Sequence, residues 1–322
     1  MQALIRTRYG PPEVVQVADL PQPEPAANEL LIRVRASAVN TGDWRVRAAA
    51  FPGVLAIPGR LMFGILAPRN HRLGTEFAGL VEDTGRQATR FAAGDRVYGM
   101  LPSGGATAQY LTIPATDAVA PIPPGLDFEQ AAALPFGGLC ALAFLKDFGS
   151  LKAEQKLLIV GASGGVGAYA VQVGKALGAA VTGVAGPDSQ ALLKSLGADA
   201  TIDYRRTTVR DWPEGFDLVF DTVGVLSPRH ARGLLRDGGL FLPLNFGLRE
   251  LGAVLLNPLR SSRIRLAVNE DTAEGLHQIS KLVEDGRLRP VIDSRYPMAE
   301  AARAHTQVES RHRQGSIVLT VP

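Results

Sequence analysis

The sequence predicts an α/β protein in which a β-rich, barrel-like region precedes a doubly wound parallel sheet with crossover helices. Three observations predict it. The apolar run Leu157-Leu158-Ile159-Val160 passes directly into the turn Gly161-Ala162-Ser163-Gly164-Gly165-Val166-Gly167. Beyond that turn, strand-like and helix-like runs alternate. Ahead of it, up to residue 122, only short β-type runs occur, and glycine and proline punctuate them.

The elements follow in order. Strands are expected over 30–36, 78–82, 96–98 and 109–113. Asp127 with Gln130 three residues on forms a capping-box pattern, and the helix-prone stretch 131–146 behind it is interrupted by Pro135 and Gly137-Gly138. After the apolar strand 157–160, Val166, Ala170, Val173 and Leu177 recur with helical spacing, and Gly178 is a natural stop. Strands at 180–184, 200–203, 218–221, 240–244 and 264–268 alternate with helices at 191–196 and 230–235. A helix over 272–285 and two strands near Val291 and Ile317 close the chain.

The glycine turn carries the first functional expectation. Ala162, Gly164 and Gly167 keep the two-then-three spacing of a dinucleotide fingerprint, with alanine at its first glycine position. Gly164 and Gly165 let backbone approach a pyrophosphate, Gly167 lets the helix pack on the strand behind it, and amides at the helix start face the anion. A glycine-rich turn in some other α/β protein is the competing reading. The strand, turn, helix and second strand together span about thirty residues, the size of one βαβ unit, and favour the nucleotide.

Composition bounds the rest. A chain of 322 residues, 46% hydrophobic and 20% charged, is long enough for two domains. The single Cys140 excludes an internal disulfide and a cysteine-rich zinc site, and it suits a reducing cytoplasm, the expected location. No apolar signal core and no membrane-length apolar run occurs, so neither secretion nor membrane insertion is expected. Arginines outnumber lysines 28 to 6 but are scattered, and Arg260, Arg263 and Arg265 lack aromatic interleaving, so no nucleic-acid role is expected.

Several motifs in order resemble those of zinc-free medium-chain dehydrogenases/reductases of the quinone oxidoreductase, or zeta-crystallin-like, type. They are Ala38-Val39-Asn40-Thr41-Gly42-Asp43-Trp44, Leu73-Gly74-Thr75-Glu76-Phe77-Ala78-Gly79, Phe91 to Gly99, the glycine turn, Leu196-Gly197-Ala198-Asp199 with Ile202-Asp203-Tyr204, and Gly286 to Asp293. The resemblance runs nearly end to end. It implies a GroES-like β-barrel catalytic domain built from residues 1–122 and 269–322, with a Rossmann NADP-binding domain at 123–268 inserted between them and the active site in the cleft. It further implies a homodimer in which the strand at 264–268 extends the sheet across subunits.

Zinc-dependent members of that superfamily carry a cysteine where this chain has Asn40 and a histidine where it has Thr75. His71, His230, His277, His305 and His312 show no ligand spacing, so no metal is expected. Without a Lewis acid to stabilise an alkoxide, the expected reaction is conjugate reduction, with hydride going to a quinone or an α,β-unsaturated carbonyl. The resemblance places Asn40 and Asp43, its N-x-x-D motif, beside nicotinamide and substrate. For Asp43 a structural hydrogen-bond role stands open equally. No residue declares itself as proton donor; Tyr98 is one candidate, although its motif position also suits barrel structure.

The cofactor expected is NADPH. Strand 180–184 is followed by Ala185-Gly186-Pro187, with no acid to grip a ribose 2′-hydroxyl, and Asp188 reads as a helix cap. Ser189, Lys194 and Tyr204 are the residues the resemblance places near a 2′-phosphate. It also carries over Ser163, Gly164, Gly165 and Val166 at the pyrophosphate, Val223 near the ribose, and Asn245, Phe246 and Gly247 near the nicotinamide. Cys140 stands where the family usually has threonine and Ser316 where it often has lysine; Cys140 is either a contact or redox-sensitive thiol near the nicotinamide or a buried inert one. The alternatives to a quinone or enone reductase are a pathway-specific enoyl reductase, an alcohol dehydrogenase-like reductase, and a non-catalytic, crystallin-like or regulatory cofactor binder. The segment 48–70 is longer than in short quinone reductases and is expected to shape a particular substrate pocket.

Overall fold

The computed structural model describes residues 1–53 and 56–322; Val54 and Leu55, inside the expected pocket-shaping segment 48–70, lie outside the described residues. The described chain forms two compact units. One comprises Met1–Phe51, Ala56–Phe136 and Asp271–Pro322, and the other Gly137–Glu270 with Pro52 and Gly53.

The first unit is the GroES-like one. Short apolar-rich runs make strands Glu29–Val39, Glu76–Thr84, Arg96–Met100 and Tyr110–Pro114, which contain all four strands expected there except Gln109 at the last one's start. They belong to a seven-stranded sheet that also takes in Val119–Pro121, Ile292–Pro297 and Ser316–Thr320. Ser316–Thr320 runs antiparallel beside Glu29–Val39, with Ile317 opposite Val39, so both chain ends close one sheet. Leu30, Ile32, Val34, Phe77, Val97, Leu111 and Ile317 fill its core.

The second unit is the Rossmann one. Its six parallel strands lie in the spatial order Ala200–Asp203, Ala180–Ala185, Lys156–Val160, Phe216–Asp221, Leu235–Pro243 and Arg263–Ile264. In chain order that is 3-2-1-4-5-6, the doubly wound arrangement whose crevice lies where the order reverses, past the carboxyl ends of the first and fourth strands. Leu157, Leu158 and Ile159 have no exposed surface, as expected for a strand covered on both faces.

Three expectations need correction. The helix expected over 230–235 is Pro228–Leu234, and Leu235 already belongs to the next strand, pairing with Phe216 before the register jumps to Leu218 opposite Leu240. Residues 236–239 are looped out of that pairing, and the Asp237-Gly238-Gly239 sequence tolerates it. The strand expected over 264–268 is only Arg263–Ile264, and Val268 is largely exposed. The stretch 131–146 is broken ahead of Pro135 as expected, between helices Phe128–Ala132 and Pro135–Leu142, but Gly137-Gly138 lie inside the second helix and do not interrupt it; Pro135 is its first residue, where its missing amide costs nothing.

Gly137 has a packing reason that the sequence does not disclose. A Cβ there would lie 2.1 Å from the carbonyl oxygen of Gly165, so helix Pro135–Leu142 rests on the glycine turn itself. Gly137→Ala should therefore destabilise by about 1–3 kcal/mol. Gly252→Ala, in helix Leu248–Leu255 with open space around it, should instead stabilise by roughly 0.5–1 kcal/mol. Denaturant unfolding of both variants checks the contrast, which equal effects would contradict.

Candidate functional site

In the Rossmann unit the turn is shaped by what its glycines cannot carry. Gly161 has φ +78°, and a Cβ on it would stand 2.3 Å from Val223 and 2.7 Å from Thr222. On Gly167 a Cβ would stand 2.1 Å from the Gly161 carbonyl oxygen, which brings helix Gly167–Ala176 hard against the end of strand Lys156–Val160. Gly164 differs: a Cβ there would meet only the Gly161 oxygen, at 3.5 Å. That open face lies at the start of a helix whose N-cap makes no side-chain bond, a place whose free helix-start amides favour an anion such as a pyrophosphate.

The opposite wall is built by Asp221, which the sequence showed only as a strand end. It is fully buried, and burial pushes its carboxyl above the usual range. Its oxygens accept from the amides of Val223, Gly224 and Leu226, which fixes the loop beyond the strand. Thr222 Oγ1 donates to the Val160 carbonyl at 2.8 Å, tying this loop to the first strand across the reversal point. Asn245 Nδ2 donates to the Thr222 carbonyl, and a Cβ on Gly53 would touch Gly247 Cα at 2.8 Å, so Pro52 and Gly53 sit against the Asn245-Phe246-Gly247 loop.

The structure gathers Ser163, Gly164, Gly165, Val166, Val223 and Asn245 around this reversal point. Cys140 is buried on the helix that backs the turn, one helical turn beyond Gly137. At the end of the second strand, Tyr204 is half-exposed, with its hydroxyl 3.5 Å from where a Gly186 Cβ would be. Ser189 is buried and Lys194 is exposed on helix Gln190–Ser195. Asp188 lies in the single turn Pro187–Ser189; the helix start after it carries no side-chain cap, which corrects the capping expectation.

In the GroES-like unit a second constellation forms. Asn40 ends the strand Glu29–Val39 and caps helix Thr41–Ala48: its Oδ1 accepts from the Asp43 amide at 3.0 Å, and Asp43 Oδ2 accepts from the Asn40 amide at 2.9 Å. The N-x-x-D motif is thus a capping box with both partners satisfied. Asn40 Nδ2 spends its two hydrogens on Thr75 Oγ1 and Glu76 Oε2, each at 2.9 Å. Thr75 Oγ1 donates to Asp43 Oδ1 at 3.3 Å, and the Phe136 amide donates to Glu76 Oε1.

Both Nδ2 hydrogens of Asn40 and its Oδ1 are therefore engaged inside the protein, and half-exposed Thr75 is the face of the network toward solvent. Burial pushes Glu76 up to about 8 and Asp43 up to about 6; hydrogen bonds from Asn40 and Phe136 to Glu76, and from Asn40 and Thr75 to Asp43, hold both shifts down. Glu76 was legible only as part of a motif, and the signal that could have found it is a glutamate inside an otherwise apolar strand. Ser316 Oγ donates to the Ala133 carbonyl at 3.0 Å. Tyr98 is fully buried, its hydroxyl bonded to the Leu276 carbonyl and to Ser280, which suits a structural role. Among the described residues no three His, Cys, Asp or Glu side chains gather as metal ligands would.

Comparison with known proteins places the chain in a family. The alcohol dehydrogenase GroES-like domain family matches residues 26–124, and the zinc-binding dehydrogenase family matches residues 196–319. The chain is 35% identical to a quinone oxidoreductase of Pseudomonas aeruginosa over 97% of both chains. The chain belongs to the zinc-free quinone oxidoreductase type of medium-chain dehydrogenases/reductases. The quinone oxidoreductase of Coxiella burnetii superposes with a TM-score of 0.89 at 28% identity, covering 100% of this chain and 99% of that one. The Escherichia coli quinone oxidoreductase complexed with NADPH superposes with a TM-score of 0.84 at 28% identity, covering 99% of this chain and 100% of that one.

Two predictions arise from the oxidoreductase's catalytic unit. Asp43 and Glu76 hold protons more tightly folded than unfolded, so the stability they lend is complete below their ordinary values and is lost as pH rises through about 6 and about 8. Thermal midpoints should fall across that window, and Glu76→Gln should flatten the upper part; an unchanged slope would contradict it. Tyr98→Phe should cost about 1 kcal/mol of stability from its lost hydrogen bonds while turnover stays within about two-fold. A large loss of turnover in folded protein would return Tyr98 to the reaction.

Proposed function

We propose that this oxidoreductase is an NADPH-dependent, zinc-independent reductase of quinones and α,β-unsaturated carbonyls. The observation that carries the reading is the pairing of an amide-lined turn at Gly164 with a second strand that ends in Gly186 under Tyr204 and bears no carboxylate there.

The amides of Ser163, Gly165 and Val166 would hold the pyrophosphate over the side-chain-free face of Gly164, whose own amide donates to the Gly161 carbonyl, and the Tyr204 hydroxyl, exposed over Gly186, would meet a 2′-phosphate. Asn245, Phe246 and Gly247, braced by Gly53 and by the Thr222 carbonyl, would border the nicotinamide end. When bound, the cofactor supplies hydride. The chain's residues supply order: Asn40, saturated by its own partners, fixes Thr75 and Glu76, and Thr75 presents its hydroxyl toward solvent. Glu76 keeps a proton at neutral pH because burial disfavours its anion, so an exchangeable proton is held one hydrogen bond from Asn40. An acceptor whose reduced oxygen needs only hydrogen bonds and a proton suits such a site. The homodimer and the cytoplasmic location belong to this same reading.

The test is the loss of NADPH absorbance with a para-quinone, an ortho-quinone and a trans-2-enal in the presence of EDTA, beside a simple alcohol with NADP. Conjugated acceptors should be reduced and the alcohol left untouched; alcohol turnover without added metal would contradict the reading. Tyr204→Phe should weaken NADPH about ten-fold, the worth of one charge-assisted hydrogen bond, and leave NADH unchanged. Equal or faster turnover of the wild type with NADH would overturn the cofactor preference. Cofactor binding with no turnover of any acceptor would favour the non-catalytic role.

A further inference from the structure

Helix Ala56–Phe63 is built mostly of apolar residues, yet none of them is buried. Ile57, Leu61 and Met62 on the helix, and Ile65 and Leu66 in the turn after it, are all exposed; Leu66 keeps 93% of its surface in water. Five large apolar side chains within ten residues therefore make one exposed patch on the GroES-like unit.

The aromatic residues nearby are spent on holding this segment in place. An eight-residue helix is not stable alone in water. Phe63 stacks on Phe51 with ring centroids 5.4 Å apart, and a Cβ on Gly59 would stand 2.6 Å from the Phe51 ring. The Arg60 guanidinium lies over the Tyr9 ring at 4.8 Å, and the Tyr9 hydroxyl donates to the Gly64 carbonyl at 2.8 Å. The patch is thus presented on a braced support.

Its charge is one-signed. Residues 44–75 include five arginines and no aspartate or glutamate, and the acids that bound them, Asp43 and Glu76, are buried. Two of the arginines stand at the patch itself: Arg60 Nη1 donates to the Ile65 carbonyl at 2.9 Å, and Arg69 Nη1 reaches the Met62 carbonyl at 3.5 Å. A second copy docked by the same patch across a two-fold axis would bring arginine towards arginine. A protein partner is anchored best by aromatic side chains, and here the aromatic rings belong to the brace. No helix among the described residues is long and apolar enough to cross a membrane, so contact with a bilayer is contact with its surface.

We propose that the patch 57–66, with Arg60 and Arg69, docks this protein on a bilayer surface that carries anionic headgroups. The apolar side chains enter the boundary between headgroups and acyl chains, and the guanidiniums meet the headgroup phosphates. This inference goes beyond the reductase reading and does not rest on it.

The full chain is mixed with phosphatidylcholine vesicles made with and without phosphatidylglycerol, and binding is read by flotation, which needs neither cofactor nor acceptor. Wild type should float with the anionic vesicles, less with the neutral ones, and less again at high salt. Leu66→Asp should weaken binding about ten-fold. Arg69→Gln should weaken it about five-fold, while Arg69→Lys stays within about two-fold of wild type. Leu66 and Arg69 are both exposed, so thermal midpoints should not move; should L66D not fold, Leu61→Ser carries the same expectation. Wild type that does not float with anionic vesicles, or L66D that binds them as tightly as wild type, would overturn the proposal. Neutral vesicles bound as tightly as anionic ones would overturn it too. A dimer that L66D breaks in sedimentation equilibrium, beside no vesicle binding by wild type, would give the patch to a second copy and overturn it likewise. Absence of turnover with every acceptor would sink the reductase reading and leave the flotation result standing.

Discussion

The constraint on which the rest depends is how closely backbone approaches backbone around Gly161–Gly167. Gly161 has no room for a side chain against Thr222 and Val223, Gly167 none against the Gly161 carbonyl, and Gly137 none against Gly165. Three segments far apart in sequence, the turn, the loop after strand Phe216–Asp221 and helix Pro135–Leu142, are thereby brought into van der Waals contact, with the Thr222 and Val223 side chains seated directly on Gly161. The outcome is a rigid wall with one open face, at Gly164. Asp221 extends the rigidity by collecting three amides of the next loop on one carboxylate, a use of a buried charge that repays its desolvation in hydrogen bonds.

The GroES-like unit solves a different problem with the same economy. Superfamily members that use zinc have metal ligands at the positions of Asn40 and Thr75; here those two side chains bond to each other and to two carboxyls. Asn40 is at once a helix cap and the shared hydrogen-bond partner of Thr75, Glu76 and Asp43. Only Thr75 faces outward from the cluster.

Much of this was legible in the chain. The parallel strands announce themselves as continuous apolar runs, the barrel strands as short β-rich runs between glycines and prolines, and the glycine spacing marks the nucleotide turn. What escaped was whatever depends on long-range packing. Residues 235–239 carry no signal that Leu235 pairs back with Phe216 before the strand proper resumes at Leu240, and Ile264 to Val268 is apolar enough to suggest a strand that partner geometry ends after Ile264. Gly137 looked like a helix breaker because the sequence cannot show Gly165 above it. The N-x-x-D motif suggested reacting groups, while its spacing is equally that of a capping box. Glu76 carries its meaning only in burial, which no local pattern reports.

The central claim is that the open face at Gly164 is where the dinucleotide's phosphates lie. Gly164→Val would put a branched side chain on that face, where its Cβ meets only the Gly161 oxygen at 3.5 Å, so it should leave folding intact. The decisive measurement is titration of NADPH into wild type and Gly164→Val, with thermal midpoints taken in parallel. The account predicts that binding is lost while the midpoint of the unliganded protein stays where it was. Unchanged NADPH affinity in the folded variant would contradict it.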